Sequence, residues 1–200
     1  MNFIRWLMSF VRVIKLIGIA ERSVKDGVNM VQKPTDSWQS KTTVKKGNIG
    51  EKIVKEYLEN KGYVIYKPAT SGSHPFDNLC ASQDKKKIFI VEVKTKEARK
   101  YYPDTGIDIK NYNEYKYIQD KYNLKVFLFF VDATNRKVYG NELGNLIKPK
   151  IIDNKKYPSM EKGIIYFPLS SMRPISELTE DEAEIIRKYN TKKYDGAWKY

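Results

Sequence analysis

Two apolar runs constrain the fold of this chain more than any other feature of its sequence. Residues 88–95 and 124–131 have the length of a strand and are rich in Ile, Val and Phe, which favours positions at the centre of a β-sheet. Apolar residues recur with helical spacing over residues 108–122, between the two runs. A helix between two buried strands predicts an α/β fold.

Weaker patterns supply the remaining elements. They predict a first helix over residues 47–60, strands over 63–67 and 76–82, edge strands at 138–139 and 164–167, and a last helix over 178–189. Thr179 and Glu182 have the spacing of a capping box at the start of the last helix. The order of helix, three strands, helix and strand predicts an α/β/α sandwich around a central mixed β-sheet.

The ends of the chain differ from its middle. We predict an N-terminal amphipathic helix and linker over residues 1–41, a main domain over 42–170 and a C-terminal helical extension over 171–200. The N-terminal helix is expected over residues 3–19, where polar residues recur every three or four positions in an apolar segment. Packing on the domain or on a second copy, contact with a membrane surface or larger assembly, and a membrane-spanning helix remain open.

The sequence has no clear signal-peptide pattern, which predicts a cytoplasmic protein. Association with a virion or a membrane through residues 3–19 is the alternative. Arg12 and Lys15 lie in the middle of that segment and argue against a spanning helix.

Charge and rare residue types bound the chemistry. The formal net charge of +13 favours a polyanionic partner, with nucleic acid first and an anionic membrane second, although lysines can also serve solubility alone. His74 and Cys80 are the only residues of their types, which excludes a disulfide within the chain, zinc fingers and mechanisms that need two histidines. Hydrolysis would have to depend on carboxylates, lysine and a hard metal ion.

The second half of the first apolar run carries charge. In a strand, Glu92, Lys94 and Lys96 share one face, while Val91, Val93 and Thr95 share the other. Burying a charge in a central strand is costly unless it is paired or binds a metal ion. A salt bridge on a solvated sheet face is the alternative for Glu92 and Lys94.

Asp77 stands at the start of the strand predicted before this one. If the two strands are adjacent and antiparallel, Asp77 can face Glu92. Two such carboxylates repel unless a cation lies between them, and hard oxygen ligands suit Mg²⁺ or Mn²⁺. Capping of turn amides is the alternative role for Asp77.

Glu51 lies in the first helix at the edge of its apolar stripe, from which it can reach toward the sheet. The periodicity alone does not favour it over Glu56, at the opposite edge. A carboxylate stabilised by the helix dipole is the alternative for Glu51.

Four segments in this order resemble the PD-(D/E)xK nuclease superfamily, and in particular archaeal-type Holliday junction resolvases and related phage and restriction endonucleases. They are G-N-I-G-E, K-G-Y-V-I-Y, S-G-S-H-P-F-D and F-I-V-E-V-K-T-K, within residues 45–132. One departure is Phe76, which separates Pro75 from Asp77, where the superfamily motif has adjacent residues. The resemblance implies a restriction-endonuclease-like α/β/α sandwich.

The resemblance also implies a catalytic set of Glu51, Asp77, Glu92 and Lys94. Asp77, Glu92 and the backbone carbonyl of Val93 would hold Mg²⁺ or Mn²⁺, Glu51 would complete an outer shell, and Lys94 would orient or help deprotonate the attacking water. Cleavage would leave a 5′-phosphate. Junction cutting would favour a homodimer with paired active sites.

DNA contacts are predicted next to this set. Ser71 in the loop before Asp77, and Lys96, Arg99 and Lys100 after the strand, can contact phosphate. Tyr101 and Tyr102 add rings suited to base stacking, while an ordinary solvated loop is the alternative. Tyrosines after residue 110 are interpreted as packing residues.

The sequence therefore predicts a metal-dependent DNA endonuclease whose substrate is a branched junction, a duplex or a single strand. The alternative is a non-catalytic nucleic-acid-binding or assembly protein, such as a phage structural or cargo protein, with a nuclease-like fold anchored by residues 3–19. A third alternative is a membrane-associated protein whose basic charge meets anionic lipid.

Overall fold

A computed structural model describes residues 41–67, 76–84 and 86–190. The predicted N-terminal helix over residues 3–19 and Ser71 lie outside the described residues. The elements in chain order are α1 (Thr42–Asn60), β1 (Tyr63–Tyr66), β2 (Asn78–Ser82), β3 (Ile88–Thr95), β4 (Asp104–Asp108), α2 (Ile109–Tyr122), β5 (Lys125–Asp132), β6 (Lys137–Glu142), α3 (Leu143–Leu146), β7 (Lys150–Ile152), β8 (Lys155–Tyr157), β9 (Ser159–Glu161), β10 (Ile164–Pro168), a 3₁₀ turn (Leu169–Ser171), β11 (Arg173–Glu177) and α4 (Glu180–Lys188).

A six-stranded mixed sheet in the order β1-β2-β3-β5-β6-β11 forms the centre of the fold. Strands β3 and β5 pair in parallel, with α2 in the connection between them, and the other neighbours pair antiparallel. The two most apolar runs of the sequence are therefore the two inner strands, as predicted.

Helices cover both faces of this sheet. On one face, α1 and α4 pack through Val54, Leu58, Ala183 and Ile186 against the side chains of Val91, Val93, Phe129, Val131 and Val138. On the other face, α2 packs through Tyr115, Ile118 and Tyr122 against Ile90, Val126, Leu128 and Phe130. The predicted mixed α/β architecture, with helices on both faces of a central mixed sheet, is confirmed.

A second sheet lies on the α2 side. It has three strands in the order β4-β10-β9, and a two-stranded hairpin of β7 and β8 adjoins it. Ile107 and Phe167 from this sheet enter the same core as α2. The small sheet thus lies on the face of the central sheet from which the Glu92 side chain projects.

Two predicted edge strands have other neighbours. Strand β6, predicted at residues 138–139, lies between β5 and β11, and β10, predicted at 164–167, is the middle strand of the small sheet. Both predictions of an edge position were wrong, because β4, β9 and β11 are too short and polar to produce a strand pattern. Each gains its backbone partners from a more apolar neighbour.

The C-terminal part contributes to the central sheet and its core. Strand β11 pairs with β6, and Ala183 and Ile186 of α4 are fully buried. Thr179 and Glu182 form the predicted capping box. Among the described helices, none is long and apolar enough to cross a membrane.

Candidate active site

Asp77 and Glu92 meet where strands β2 and β3 run side by side. The two strands are antiparallel, with Asn78 opposite Val91, so Asp77 is one step beyond this pair in the direction of Glu92. The Val93 amide donates to Oδ2 of Asp77 at 2.7 Å. The predicted antiparallel pairing is confirmed, and the backbone of β3 fixes one oxygen of Asp77.

Glu92 and Lys94 form an ion pair on the α2 side of the sheet, in which the carboxylate is buried and the ammonium is partly exposed. Lys94 Nζ lies 2.5 Å from Oε1 of Glu92, and the Glu92 side chain is only 4% exposed. The alternation predicted for β3 is present, since Val91 and Val93 pack into the opposite core. A carboxylate this deeply buried is not the solvated surface pair of the alternative interpretation.

Lys94 is held in its charged form. Burial alone would lower the pKa of Lys94, but attraction and hydrogen bonding from Glu92, with further attraction from Asp77, raise the pKa above its ordinary value. An ammonium group of this kind can position and stabilise negative charge, but it is a poor proton acceptor near neutral pH.

The charged form of Asp77 is disfavoured by its surroundings. Burial, then repulsion from Glu92 and Glu51, raises the pKa of Asp77 to about 7 against the weaker opposing effects of the Val93 amide and Lys94. The charges of two other carboxylates therefore act on Asp77 at this point. An additional cation would relieve the repulsion.

The geometry favours Glu51 over Glu56. Glu51 projects from α1 close enough to act on Asp77, is 21% exposed, and accepts a hydrogen bond from Lys67 Nζ at 2.7 Å. Glu56 is exposed and pairs with Lys52 on the same helix. The structure thus separates two residues that periodicity left equivalent.

Gly50 brings Glu51 to the sheet. A Cβ atom at this position would lie 1.9 Å from Oγ1 of Thr95 and 3.1 Å from its Cβ. The helix can approach β3 this closely only because residue 50 has no side chain. Gly50, the second glycine of the G-N-I-G-E segment, is therefore required for α1 to pack close to β3 at the site.

The sequence patterns did not indicate the roles of two residues at the site, Tyr115 and Asp108. Tyr115 of α2 is buried and donates a hydrogen bond to Glu92; burial, then the charge of Glu92, raises the pKa of its hydroxyl. Asp108, at the start of α2, acts on both Lys94 and Lys96. The signal for Tyr115 was its place on the buried stripe of α2, because a buried tyrosine needs a partner for its hydroxyl.

The predicted DNA-contacting residues differ in how far they are engaged. Lys96 Nζ donates to the Gly106 carbonyl at 3.2 Å, and Arg99 pairs with Asp104 and Glu161. Lys100 is exposed. The role of these residues, and of Ser71, in binding DNA stays a prediction.

The donor set suits a hard metal ion, although no three Asp, Glu, His or Cys side chains within the described residues are arranged as metal ligands. The predicted set has two carboxylates, Asp77 and Glu92, with the Val93 carbonyl as third donor. The mutual repulsion at Asp77 is the observation that fits a divalent cation.

Comparison with known proteins finds similarity only to solved structures, at low sequence identity. No protein-family model matches this chain, and no curated protein matches it in sequence. A Holliday junction resolvase from Archaeoglobus fulgidus is similar at 12% identity and a TM-score of 0.46, over 70% of this chain and 99% of that one. A nuclease from a fusselovirus is similar at 11% identity and a TM-score of 0.43, over 74% of this chain and 93% of that one.

Proposed function

We propose that this protein is a metal-dependent DNA endonuclease that hydrolyses phosphodiester bonds and leaves 5′-phosphate ends. The observation that carries the proposal is the meeting of Asp77, directly before β2, with Glu92 and Lys94 of β3, in a partly buried site with Glu51 close by. The basic net charge of +13 supports an anionic polymer as substrate.

The residues of the site divide the work. Asp77, Glu92 and the Val93 carbonyl would hold Mg²⁺ or Mn²⁺, which supplies Lewis-acid polarisation of the phosphodiester and activation of water when bound. The Val93 amide fixes Oδ2 of Asp77 and leaves Oδ1 for a ligand. Tyr115 holds the Glu92 carboxylate in orientation through its hydrogen bond.

Lys94 contributes charge. Its raised pKa keeps it protonated, so it would orient the attacking water and stabilise negative charge that develops on the phosphate, without accepting the proton itself. In this step the water oxygen would bond to phosphorus as the bond to O3′ breaks, the water would give up one proton to solvent, and O3′ would take up one proton from solvent. The products are a 3′-hydroxyl and a 5′-phosphate.

Cleavage assays test this proposal. Supercoiled plasmid, a single strand and a synthetic junction are each incubated with Mg²⁺, Mn²⁺ or EDTA. Wild type is expected to cleave at least one DNA in a metal-dependent way, while Asp77→Ala and Lys94→Ala lose at least about a hundredfold in rate, since each removes a group that stabilises the transition state. End-labelling of the products identifies the 5′-phosphate.

Matched controls come from exposed residues near the same strands. Asp84→Ala removes a carboxylate from the β2–β3 turn, and Lys125→Ala removes an exposed lysine from β5, so both should cleave as wild type does. Cleavage that persists in EDTA, or in both active-site variants, would overturn the proposed site. DNA binding without cleavage under every condition would instead favour the non-catalytic binding or assembly protein.

The remaining predictions extend this proposal beyond the described residues. A homodimer with paired sites is proposed for a junction substrate, and the oligomeric state in solution tests it. A cytoplasmic location, with contact to a membrane surface or larger assembly through residues 3–19, stays a prediction that cell fractionation with and without that segment checks.

A further inference from the structure

Alternating cations and aromatic rings lead away from the end of strand β3. Lys96 Nζ lies 5.9 Å from the ring centre of Tyr166, and the Arg99 guanidinium lies 3.6 Å from the same centre. The Arg99 guanidinium is also 4.8 Å from the ring centre of Tyr102. Lys155, on strand β8 of the hairpin, has its Nζ 3.9 Å from the same ring centre. We call this series of cations and rings the ladder, and it connects strand β3 to the loop over residues 97–103.

A buried carboxylate anchors the ladder. Asp104 is fully buried and accepts from Nε and Nη2 of Arg99 at 2.6 and 2.7 Å, from the Tyr157 hydroxyl at 2.8 Å and from Lys155 at 3.3 Å. Glu161 accepts a further bond from Arg99 at 2.6 Å. Satisfied networks of this kind are rigid, so the loop and the hairpin are held in one arrangement.

The outer end of the ladder exposes aromatic surface. Tyr101 is 83% exposed and Tyr102 is 47% exposed, and Lys100 Nζ lies 5.6 Å from the Tyr101 ring centre. Arg99 is already engaged by two carboxylates, whereas Lys100 is an exposed charge beside an exposed ring. Arg99 and Lys155 already lie over the Tyr102 ring. The arrangement therefore offers the Tyr101 ring and the Lys100 cation to a ligand that has both flat rings and negative charge.

We propose that Tyr101, bordered by Tyr102, forms a stacking ledge for an unpaired DNA base, with Lys100 contacting the phosphate next to it. Bases within a duplex already stack on one another, so the ledge would select DNA that carries unpaired nucleotides beside the cleaved bond. The inference rests on the proposed nuclease function and names its substrate class.

Binding measured without cleavage tests the ledge. In EDTA, the affinity of wild type is measured by fluorescence anisotropy for a labelled duplex and for the same duplex with a single-stranded arm. Tyr101→Ala should weaken binding of the armed DNA by about tenfold, the loss of one stacked base, and leave binding of the duplex unchanged. Tyr102→Ala should weaken binding of the armed DNA less, because Arg99 and Lys155 already lie over its ring. Tyr101→Phe and Tyr102→Phe keep the ring and should bind as wild type does.

Tyr117 provides the matched control. It is 52% exposed and has Lys121 Nζ 4.9 Å from its ring centre, but it lies on α2. Tyr117→Ala should bind both DNAs normally. The ledge is overturned if Tyr101→Ala and Tyr102→Ala bind the armed DNA as wild type does, if they weaken duplex binding equally, or if Tyr117→Ala causes the same loss.

The outcomes separate this inference from the proposed function. If binding of the armed DNA depends on the two tyrosines but no DNA is cleaved with Mg²⁺ or Mn²⁺, the ledge stands and the nuclease falls. If cleavage requires Asp77 and Lys94 while both tyrosine variants bind normally, the nuclease stands and the ledge falls.

Discussion

Asp77 carries the electrostatic conflict of the candidate site. Burial and the repulsion from Glu92 and Glu51 raise its pKa from 3.8 to about 7. Without metal, the folded protein therefore keeps a proton on Asp77 at pH values where the unfolded chain has lost it. By linkage, this residue makes the free energy of unfolding fall as pH rises from about 4 to about 7, by up to about 4 kcal/mol.

Replacing Asp77 by Asn should remove this loss. In EDTA, Asp77→Asn is expected to be more stable than wild type at pH 8, with a difference that shrinks toward pH 4, because the neutral amide carries no charge to repel Glu92. Urea unfolding at several pH values measures the difference. Asp84→Asn, which alters an exposed carboxylate with a lowered pKa, should show no such gain at pH 8. If the difference in the free energy of unfolding between Asp77→Asn and wild type does not grow with pH, repulsion at Asp77 does not destabilise the folded protein.

At the scale of elements, the approach of α1 to β3 decides where Glu51 lies. Gly50→Ala would place a Cβ atom 1.9 Å from Oγ1 of Thr95, so we expect the helix to shift, a stability loss of about 1–3 kcal/mol and reduced cleavage. Thr95→Ala removes that oxygen, which has no hydrogen-bond partner among the described residues, and should restore part of both losses. Thermal unfolding and the plasmid assay measure them.

Gly47→Ala supplies the control for this prediction. A Cβ at Gly47 meets nothing within 4 Å, so alanine there should leave cleavage unchanged and stabilise α1 by up to about 1 kcal/mol. Equal effects of the two substitutions would show that helix propensity, and not the contact with Thr95, controls the position of α1.

The elements also show what a sequence can reveal. Strand β3 has the predicted bounds because its apolar run and its alternation are local properties. The strands of the small sheet and β11 depend on partners distant in the chain, so their own residues carry little signal. The site follows the same division. Glu92 and Lys94 were predicted from one strand, whereas Tyr115 and the choice of Glu51 required the packing of helices on the sheet.

At the scale of the whole molecule, the C-terminal part behaves as a layer of the core. Helix α4 places Ile186 at 0% exposure in the same cluster as Val54 of α1, while the adjacent Ile185 is 44% exposed. Strand β11 closes the edge of the central sheet outside β6. Residues 171–190 should therefore unfold together with the main domain in a single cooperative transition.

Two neighbouring isoleucines test this cooperativity. Ile186→Ala leaves a cavity between α4, α1 and the sheet and should lower the free energy of unfolding of the entire protein by about 2–5 kcal/mol. Ile185→Ala, on the exposed side of the same helix, should change it by no more than about 0.5 kcal/mol. Urea unfolding, followed by circular dichroism and by tyrosine fluorescence, measures both changes in the free energy of unfolding. If Ile186→Ala produces a separate early transition and leaves the midpoint of the main one unchanged, the C-terminal part is an independent extension, as the sequence alone suggested.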